Sequence, residues 1–431
     1  MNTINPCPAL LITAPGSNHG KTTITAAIAR YHCNQGLEVR VFKVGPDFLD
    51  PMILEQASGH AVYQLDLWLM GHEECQRLLY EASLEADLIL IEGVMGLFDG
   101  DPCSADIAEQ FSIPVMAVVN ASGTAQTLGA IALGLCSFRK QINFYGVLAN
   151  NVASVRHTEM LKQGMPANIR YLGGISRDSQ FVLPERHLGL VQASEITDLE
   201  TRISAAAEAI AMTDLAFLPP AINFTKTTSI NLPNLLSGIQ IGIARDSAFS
   251  FIYPANLKLL KAMGASLVYF SPLTDTVLPD VDSLYFPGGY PELYLSTLQN
   301  NLMMKSALRQ HFQEHKAIYA ECGGLLYLLT SIINQKGECA EMVGLIPGQA
   351  IMKSRLQGLG YQSAPLPEGL LRGHTFHHSS ITSSLEPIAY GQRLYNTSAG
   401  EAIFRQKNLT ATYLHNYFAS NPEASARLFF N

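Results

Sequence analysis

Two α/β domains in series are what this sequence predicts, and three observations carry that expectation. Continuous apolar, β-branched runs recur through both halves of the chain, each followed by a helix-capable stretch. Runs without polar alternation belong to strands covered on both faces, hence to parallel sheets. The alternation breaks once, near the middle, where prolines and threonines replace it, and then restarts. A length of 431 residues also exceeds what one hydrophobic core supports.

In chain order, strands are expected at Ala9–Thr13, Val39–Lys43, Asp87–Ile91, Pro114–Val119 and Tyr145–Leu148. A helix from Leu199 to Met212 closes the first domain, 1–215. Residues 216–238, with Phe217-Leu-Pro-Pro and Asn231-Leu-Pro-Asn, lack periodicity and read as a linker. Strands resume at Gln240–Ala244, Ser266–Phe270, Ser283–Phe286 and Ala317–Ala320 in a second domain, 239–431.

Hydrophobic residues make up 48% of the chain and charged residues 15%, a buried globular composition rather than a disordered one. The net charge of −8, with no long basic block, argues against a nucleic-acid partner. No apolar run reaches the length of a membrane span, and the first residues show no basic-then-apolar leader. A cytoplasmic protein without membrane contact is therefore expected. Seven scattered cysteines suit reduced thiols better than a disulfide framework or a zinc site.

The first strand runs into Ala14-Pro-Gly-Ser-Asn-His-Gly-Lys-Thr-Thr23, and a helical stretch follows. Gly20-Lys21-Thr22 is the closing half of a P-loop, in which backbone amides and a helix N-terminus cradle phosphates. Gly16, Gly20 and Thr23 shape the cradle, Lys21 reaches the outer phosphates and Thr22 can hold Mg²⁺. The pattern departs from the regular one at Pro15, and His19 inside the loop is expected to face solvent or the nucleotide. Asp47 lies just past one strand end and Glu92 ends another, where a carboxylate faces the ligand crevice of such sheets. Mg²⁺ favours few carboxylates plus phosphate oxygens, so Thr22, Asp47 and Glu92 form the expected metal set. Lys43 is either a surface residue or a cation beside transferring phosphate charge.

In the second domain, Ala317-Ile-Tyr-Ala-Glu-Cys-Gly-Gly-Leu-Leu-Tyr327 has the layout of a nucleophile elbow, a sharp strand-to-helix turn presenting Cys322. A helix N-terminus there would favour the thiolate near neutral pH. Tyr285-Phe-Pro-Gly-Gly-Tyr-Pro-Glu292 can offer an oxyanion donor at Gly289, joined by Gly323, and His415 can serve as base. Taken alone, Cys322 would read as one more buried thiol; the two partners in chain order favour acyl transfer through a thioester. One domain splitting ATP and another releasing ammonia from glutamine together make an ATP-dependent amide synthase.

Longer segments then carry a resemblance. Lys43-Val-Gly-Pro-Asp-Phe-Leu-Asp-Pro51, Leu65-Asp-Leu-Trp68, Glu92-Gly-Val-Met-Gly-Leu-Phe-Asp99, Leu183-Pro-Glu-Arg-His-Leu-Gly-Leu190, Ala244-Arg-Asp-Ser-Ala-Phe-Ser-Phe251, Pro287-Gly-Gly-Tyr-Pro-Glu292, Arg372-Gly-His374 and Leu414-His-Asn-Tyr-Phe-Ala-Ser-Asn-Pro422 run in order over nearly the whole chain. The chain resembles the cobyrinic acid a,c-diamide synthase family. The resemblance implies an N-terminal P-loop NTPase-like domain similar to dethiobiotin synthetase and a C-terminal class I glutamine amidotransferase-like α/β domain. It further implies ATP- and glutamine-dependent amidation of the a- and c-carboxylates of cobyrinic acid through acyl phosphates. ATP and Mg²⁺ are the implied cofactors; glutamine and a corrinoid polycarboxylate are the implied small-molecule partners, and a homodimer is left open. Cys322 and His415 match the nucleophile and its activator, and Lys21, Thr22, Asp47 and Glu92 the phosphate and metal positions. Asn150 stands where related sites read the nucleobase, or else belongs to a turn pair with Asn151. Arg186, His187, Arg245, Arg372 and His374 are the cationic substrate contacts the segments offer, each equally open to a structural role. Two departures stand out: Tyr417 occupies the place of a triad Glu, leaving the third member unassigned, and Thr375 replaces an expected Glu. Alternatives are hydrogenobyrinic acid or nickel sirohydrochlorin as substrate, and a regulatory NTPase with a degenerate amidotransferase domain.

Overall fold

The structure is a computed structural model and describes residues 3–186, 189–227 and 232–430. The chain divides into two compact units, Met1–Ser229 and Ile230–Asn431. Among the described residues no helix is long and apolar enough to cross a membrane.

The first unit runs β1 (Ile4–Thr13), α1 (Lys21–Asn34), β2 (Val39–Val44), α2 (Leu49–Ser58), β3 (Tyr63–Leu65), α3 (Gly71–Ser83), β4 (Leu88–Glu92), α4 (Ser104–Gln110), β5 (Val115–Asn120), α5 (Thr127–Ser137), β6 (Phe144–Val152), α6 (Val155–Gln163), β7 (Tyr171–Ser176), β8 (Glu185–Arg186), β9 (Gly189–Leu190), α7 (Leu199–Ile210) and β10 (Ala221–Thr225). The sheet order is β3-β2-β4-β1-β5-β6-β7, all parallel. The continuous apolar runs have the expected cause. Ala9, Leu11, Ile89, Ile91, Val115 and Ala117 pack into one core, while Leu10, Ile12, Leu88, Leu90, Met116 and Val118 pack into another. Alternate residues thus feed opposite faces of one sheet, and neither face is left to water.

One expectation is corrected here. The stretch expected as a linker, 216–238, contains β10, whose residues 221–225 pair antiparallel with Ile4–Pro8 of β1. Its prolines stand outside the strand, so they cost no ladder hydrogen bonds.

The second unit runs β11 (Gln240–Ala244), α8 (Pro254–Ala262), β12 (Ser266–Phe270), β13 (Ser283–Phe286), α9 (Leu295–Asn300), α10 (Leu302–Gln313), β14 (Ala317–Glu321), α11 (Gly323–Leu328), β15 (Leu329–Ile333), β16 (Cys339–Glu341), β17 (Ile346–Met352), β18 (Gly358–Leu366), β19 (Gly369–His377), β20 (Ser379–Ser383), β21 (Ala389–Arg393), β22 (Ala399–Gln406), β23 (Leu409–Thr412), β24 (His415–Tyr417) and α12 (Pro422–Arg427). A ten-stranded sheet has the order β12-β11-β13-β14-β23-β22-β21-β18-β19-β24. Its first five strands are parallel and again sandwiched: Leu284, Phe286, Ile318 and Ala320 face one core, Ile241, Ile243, Tyr285 and Tyr319 the other. The remaining strands are antiparallel, and β15, β16, β17 and β20 form a separate four-stranded sheet.

Candidate active sites

In the first unit the phosphate-loop residues and both acids lie at the carboxyl ends of the parallel strands, where such sheets hold ligands. The loop after β1 delivers the N-terminus of α1. Gly20 caps it at φ 91°, a conformation glycine adopts without strain, and a side chain there would also strike the Asn150 amide. A cavity of about 550 Å³ opens above, lined by Gly20, Thr22, Thr23, Lys43, Asp47 and Asn150 among others.

Lys21 is buried, its ammonium donating to the carbonyls of Gly16 (3.1 Å) and Met95 (2.6 Å). Burial lowers its pKa and the nearby Lys43 lowers it further, against the pull of Glu92, Asp50 and Asp99. The Thr22 hydroxyl donates to Glu92 Oε1 at 2.7 Å. Glu92 is fully buried, and its second oxygen, Oε2, has no hydrogen-bond partner. Burial pushes this carboxyl up to about 7 despite the Lys43 ammonium 3.1 Å away. A buried carboxylate oxygen left unsatisfied beside a Thr hydroxyl suits a hard divalent cation, so the donor set fits Mg²⁺. Among the described residues no three His, Cys, Asp or Glu side chains make a complete cage.

Two sequence expectations change. Lys43 is not at the surface: it is 2% exposed and pairs with Asp50 (2.5 Å), Glu92 (3.1 Å) and Asp47 (3.6 Å). Burial opposes its charge, but the carboxylates win and keep it protonated. Asp47 spends Oδ1 on the backbone N–H groups of Leu49 and Asp50, capping α2, and only Oδ2 turns toward Lys43. His19 is half-buried, and its Nδ1 accepts the Asn120 N–H at 2.9 Å. Asn150 donates its amide to the His19 carbonyl (3.0 Å), so it braces the loop as well as lining the cavity. Sequence reasoning missed Asp50, which burial would neutralise but which Lys43 holds as a carboxylate. Its signal was a second acid in the Asp47-Phe-Leu-Asp50 segment, three residues on.

In the second unit Cys322 sits between β14 and α11 with φ 44° and ψ −107°, a strained turn for a residue with a side chain. Its N–H donates to the Thr412 carbonyl (2.8 Å), tying the elbow to β23. Gly323 lies against Gly289: a side chain on Gly323 would meet Gly289 N and O at 2.8 Å. The two candidate oxyanion amides are thus adjacent, and the Gly323 N–H is also directed at the Cys322 sulfur. His415 packs on Gly288, where a methyl would stand 3.1 Å from Nδ1, 3.2 Å from Nε2 and nearer still to Cε1.

The expected thiolate differs from what the site supports. Burial pushes the Cys322 thiol up, and Glu292 and Glu401 push the same way against the Gly323 amide. Burial outweighs whatever the N-terminus of the six-residue α11 offers the sulfur. Burial also holds His415 well below the usual histidine range, with His374 and His377 adding to it. Burial thus favours the neutral form of both groups.

Of the proposed substrate contacts, His374 is corrected. It is buried, lies opposite His415 in the β19–β24 ladder, and stacks on its ring at 5.1 Å and 22°. Its Nδ1 meets the Tyr253 hydroxyl at 2.8 Å, and Tyr253 stands edge-on to Tyr417 at 5.4 Å. Tyr417 is therefore packing where a triad Glu was expected. Arg245 is exposed and stacks over Tyr269, Arg372 is exposed, Arg186 lies in β8, and His187 lies outside the described residues. Beside Cys322, His377 pairs with Glu401 (3.2 Å) and stacks flat on Tyr413 (3.6 Å, 4°), while Thr375 donates to Glu401 (3.4 Å).

Comparison with known proteins agrees with this division. Residues 10–191 match the CobQ/CobB/MinD/ParA nucleotide binding domain, and residues 240–423 the CobB/CobQ-like glutamine amidotransferase domain. The chain is 56% identical over 422 residues to the hydrogenobyrinate a,c-diamide synthase of Stutzerimonas stutzeri, covering 98% of each. It is 53% identical to the Pseudomonas aeruginosa protein of the same name, covering 98% of this chain and 97% of that one. To the cobyrinate a,c-diamide synthase of Herminiimonas arsenicoxydans it is 46% identical, over 99% and 97%.

Proposed function

The chain belongs to the family of cobyrinate and hydrogenobyrinate a,c-diamide synthases, and from that premise we propose that it converts two carboxylates of a corrin-ring acid to amides at the expense of ATP and glutamine. The observation that carries the amidotransfer half is the strained Cys322 turn with Gly289 and Gly323 against each other beside it. Relatives at 56% and 53% identity carry the hydrogenobyrinate name and the one at 46% the cobyrinate name, which favours the metal-free ring as substrate.

In the amidotransferase unit, His415 takes the thiol proton as Cys322 sulfur attacks the amide carbon of glutamine. Because burial favours the neutral form of both groups, the proton moves with the attack instead of before it. The Gly289 and Gly323 N–H groups receive the oxyanion. The C–N bond breaks, His415 returns the proton to the departing nitrogen, and ammonia leaves a thioester on Cys322. Water, deprotonated by His415, hydrolyses that thioester to glutamate.

In the nucleotide unit, the α1 N-terminus and Lys21 hold the ATP phosphates while a substrate carboxylate attacks the outer one, giving an acyl phosphate and ADP. Lys21 must leave the Gly16 and Met95 carbonyls to do so. Thr22 and Glu92, with Asp47 and Asp50 nearby, would hold Mg²⁺, which would supply positive charge to the phosphate oxygens. Ammonia then displaces phosphate from the acyl carbon.

The test compares two variants with two nitrogen sources, using the mass of the product. Lys21→Ala should abolish amidation with glutamine or ammonia; Cys322→Ala should lose only the glutamine-driven reaction. Glutamine-driven amidation that survives Cys322→Ala would remove the nucleophile assignment. Offering cobyrinate and hydrogenobyrinate separately identifies the substrate by which one loses a single mass unit twice.

A further inference from the structure

We propose that Glu321 is a positioning residue that replaces the triad carboxylate, setting Cys322 and His415 in register through the backbone rather than by touching the imidazole. The inference rests on Cys322 and His415 acting as nucleophile and base.

Glu321 is 1% exposed and immediately precedes Cys322. Its Oε1 accepts the backbone N–H of Asn416, the residue after His415, at 2.9 Å, and the Tyr319 hydroxyl, also at 2.9 Å. Its Oε2 accepts the Tyr285 hydroxyl at 2.7 Å. One carboxylate therefore joins the two backbones one residue away from each reacting group. The sheet does not do this by itself. β24 lies at the far edge of the ten-stranded sheet, paired with β19, whereas β14 pairs with β13 and β23. The Glu321–Asn416 bond, together with the Asn416 side-chain amide on the Tyr319 hydroxyl, links the two elements directly.

The surrounding bonds fix the polarity. A backbone N–H can only donate. The Tyr319 hydroxyl receives the Asn416 side-chain amide at 2.6 Å, so its own hydrogen goes to Glu321. The Tyr285 hydroxyl meets Asn256, whose amide donates to the Asn416 carbonyl (2.8 Å) and whose oxygen accepts the Phe418 N–H (2.8 Å). Glu321 is thus ringed by donors and serves only as acceptor, the role of a carboxylate. Burial raises its pKa to about 7, and the three donors work against that rise. A glutamine of the same shape would bring an NH₂ group against hydroxyls whose hydrogens are already directed at it, and the strand bearing His415 would shift.

The experiment measures glutamine-driven and ammonia-driven amidation in Glu321→Gln, with kcat and KM for glutamine determined separately. Glutamine-driven kcat should fall about tenfold or more at little-changed KM, with ammonia-driven turnover within about twofold of the parent. Glutamine-driven kcat within about twofold of the parent would overturn the proposal. If Glu321→Gln loses both activities together, Tyr319→Phe decides: selective loss of glutamine-driven turnover upholds the proposal, and parallel loss or no loss overturns it. Cys322→Ala run alongside separates the two failures. Its loss of glutamine use with an unimpaired Glu321→Gln defeats this inference alone, whereas retained glutamine use in Cys322→Ala defeats the reading beneath it.

Discussion

Replacing Gly288 by alanine perturbs the amidotransferase site through geometry alone. The residue is buried, its carbonyl accepts the Phe251 N–H at 3.0 Å, and its φ is not among the positive values that exclude a side chain. The backbone can hold alanine, so the only obstacle is the imidazole. The new methyl would meet His415 at 3.1 Å from Nδ1 and 3.2 Å from Nε2, with Cε1 nearer. To reach an ordinary carbon separation of about 3.5 Å the ring must retreat by roughly 1 Å. It cannot retreat freely, because the His374 ring stacks on it at 5.1 Å. Misplacement of a catalytic group by about 1 Å costs about 100-fold in rate, near 2.7 kcal/mol. Overpacking itself costs about 1–3 kcal/mol of stability. The assay is glutamine hydrolysis, with ammonia-driven amidation as the control for folding. Glutaminase activity should fall about 100-fold and ammonia-driven activity should hold. The stability loss, read by thermal melting, should largely vanish when Gly288→Ala is placed in His415→Ala, because the clash partner is gone. Glutaminase within about threefold of the parent, or an equal melting penalty in both backgrounds, would refute the placement of the ring.

Two further outcomes follow from charge and burial. The thiolate is the form that reacts with iodoacetamide, and burial with Glu292 and Glu401 favours the neutral thiol. The alkylation rate of Cys322, isolated by difference from Cys322→Ala, should therefore keep rising beyond pH of about 8.5, and Glu401→Gln should move the curve down. A plateau reached below neutral pH would show a preformed thiolate instead. In the nucleotide unit, Glu92→Gln keeps the shape but removes the anion whose Oε2 has no hydrogen-bond partner. Calorimetric titration should show that Mg²⁺ no longer tightens ATP binding, with metal-free ATP binding as well or better. An undiminished Mg²⁺ effect would exclude Glu92 from the metal set.

Much of this protein is local in origin and hence legible in the chain. The parallel strands announce themselves because both faces are buried: Leu88-Ile-Leu-Ile91 has no polar position to interrupt it. The phosphate loop and the Cys322 elbow are strand–glycine–helix junctions, and their conformations are set by adjacent residues. The antiparallel strands of the second unit are weaker signals. In β18 only alternate positions are fully buried, and glycine and proline interrupt the pattern.

Tertiary structure decided what depends on distant residues meeting. Lys43 is a surface residue or a buried cation according to whether Asp50 and Glu92 fold onto it, and they do. His374 became a neighbour of His415 because β19 pairs with β24 in one register, and a shift of one residue would send its ring to the other face. Glu321 acquired its place because Tyr285, Tyr319 and Asn416 arrive from three strands to donate to one carboxylate. The sequence by itself determined the fold class, the phosphate loop and the identity of the candidate nucleophile and base, because neighbouring residues fix each of them. The protonation of Cys322 and the support of His415 were decided by tertiary structure alone, because burial and long-range hydrogen bonds leave no periodic mark in a sequence.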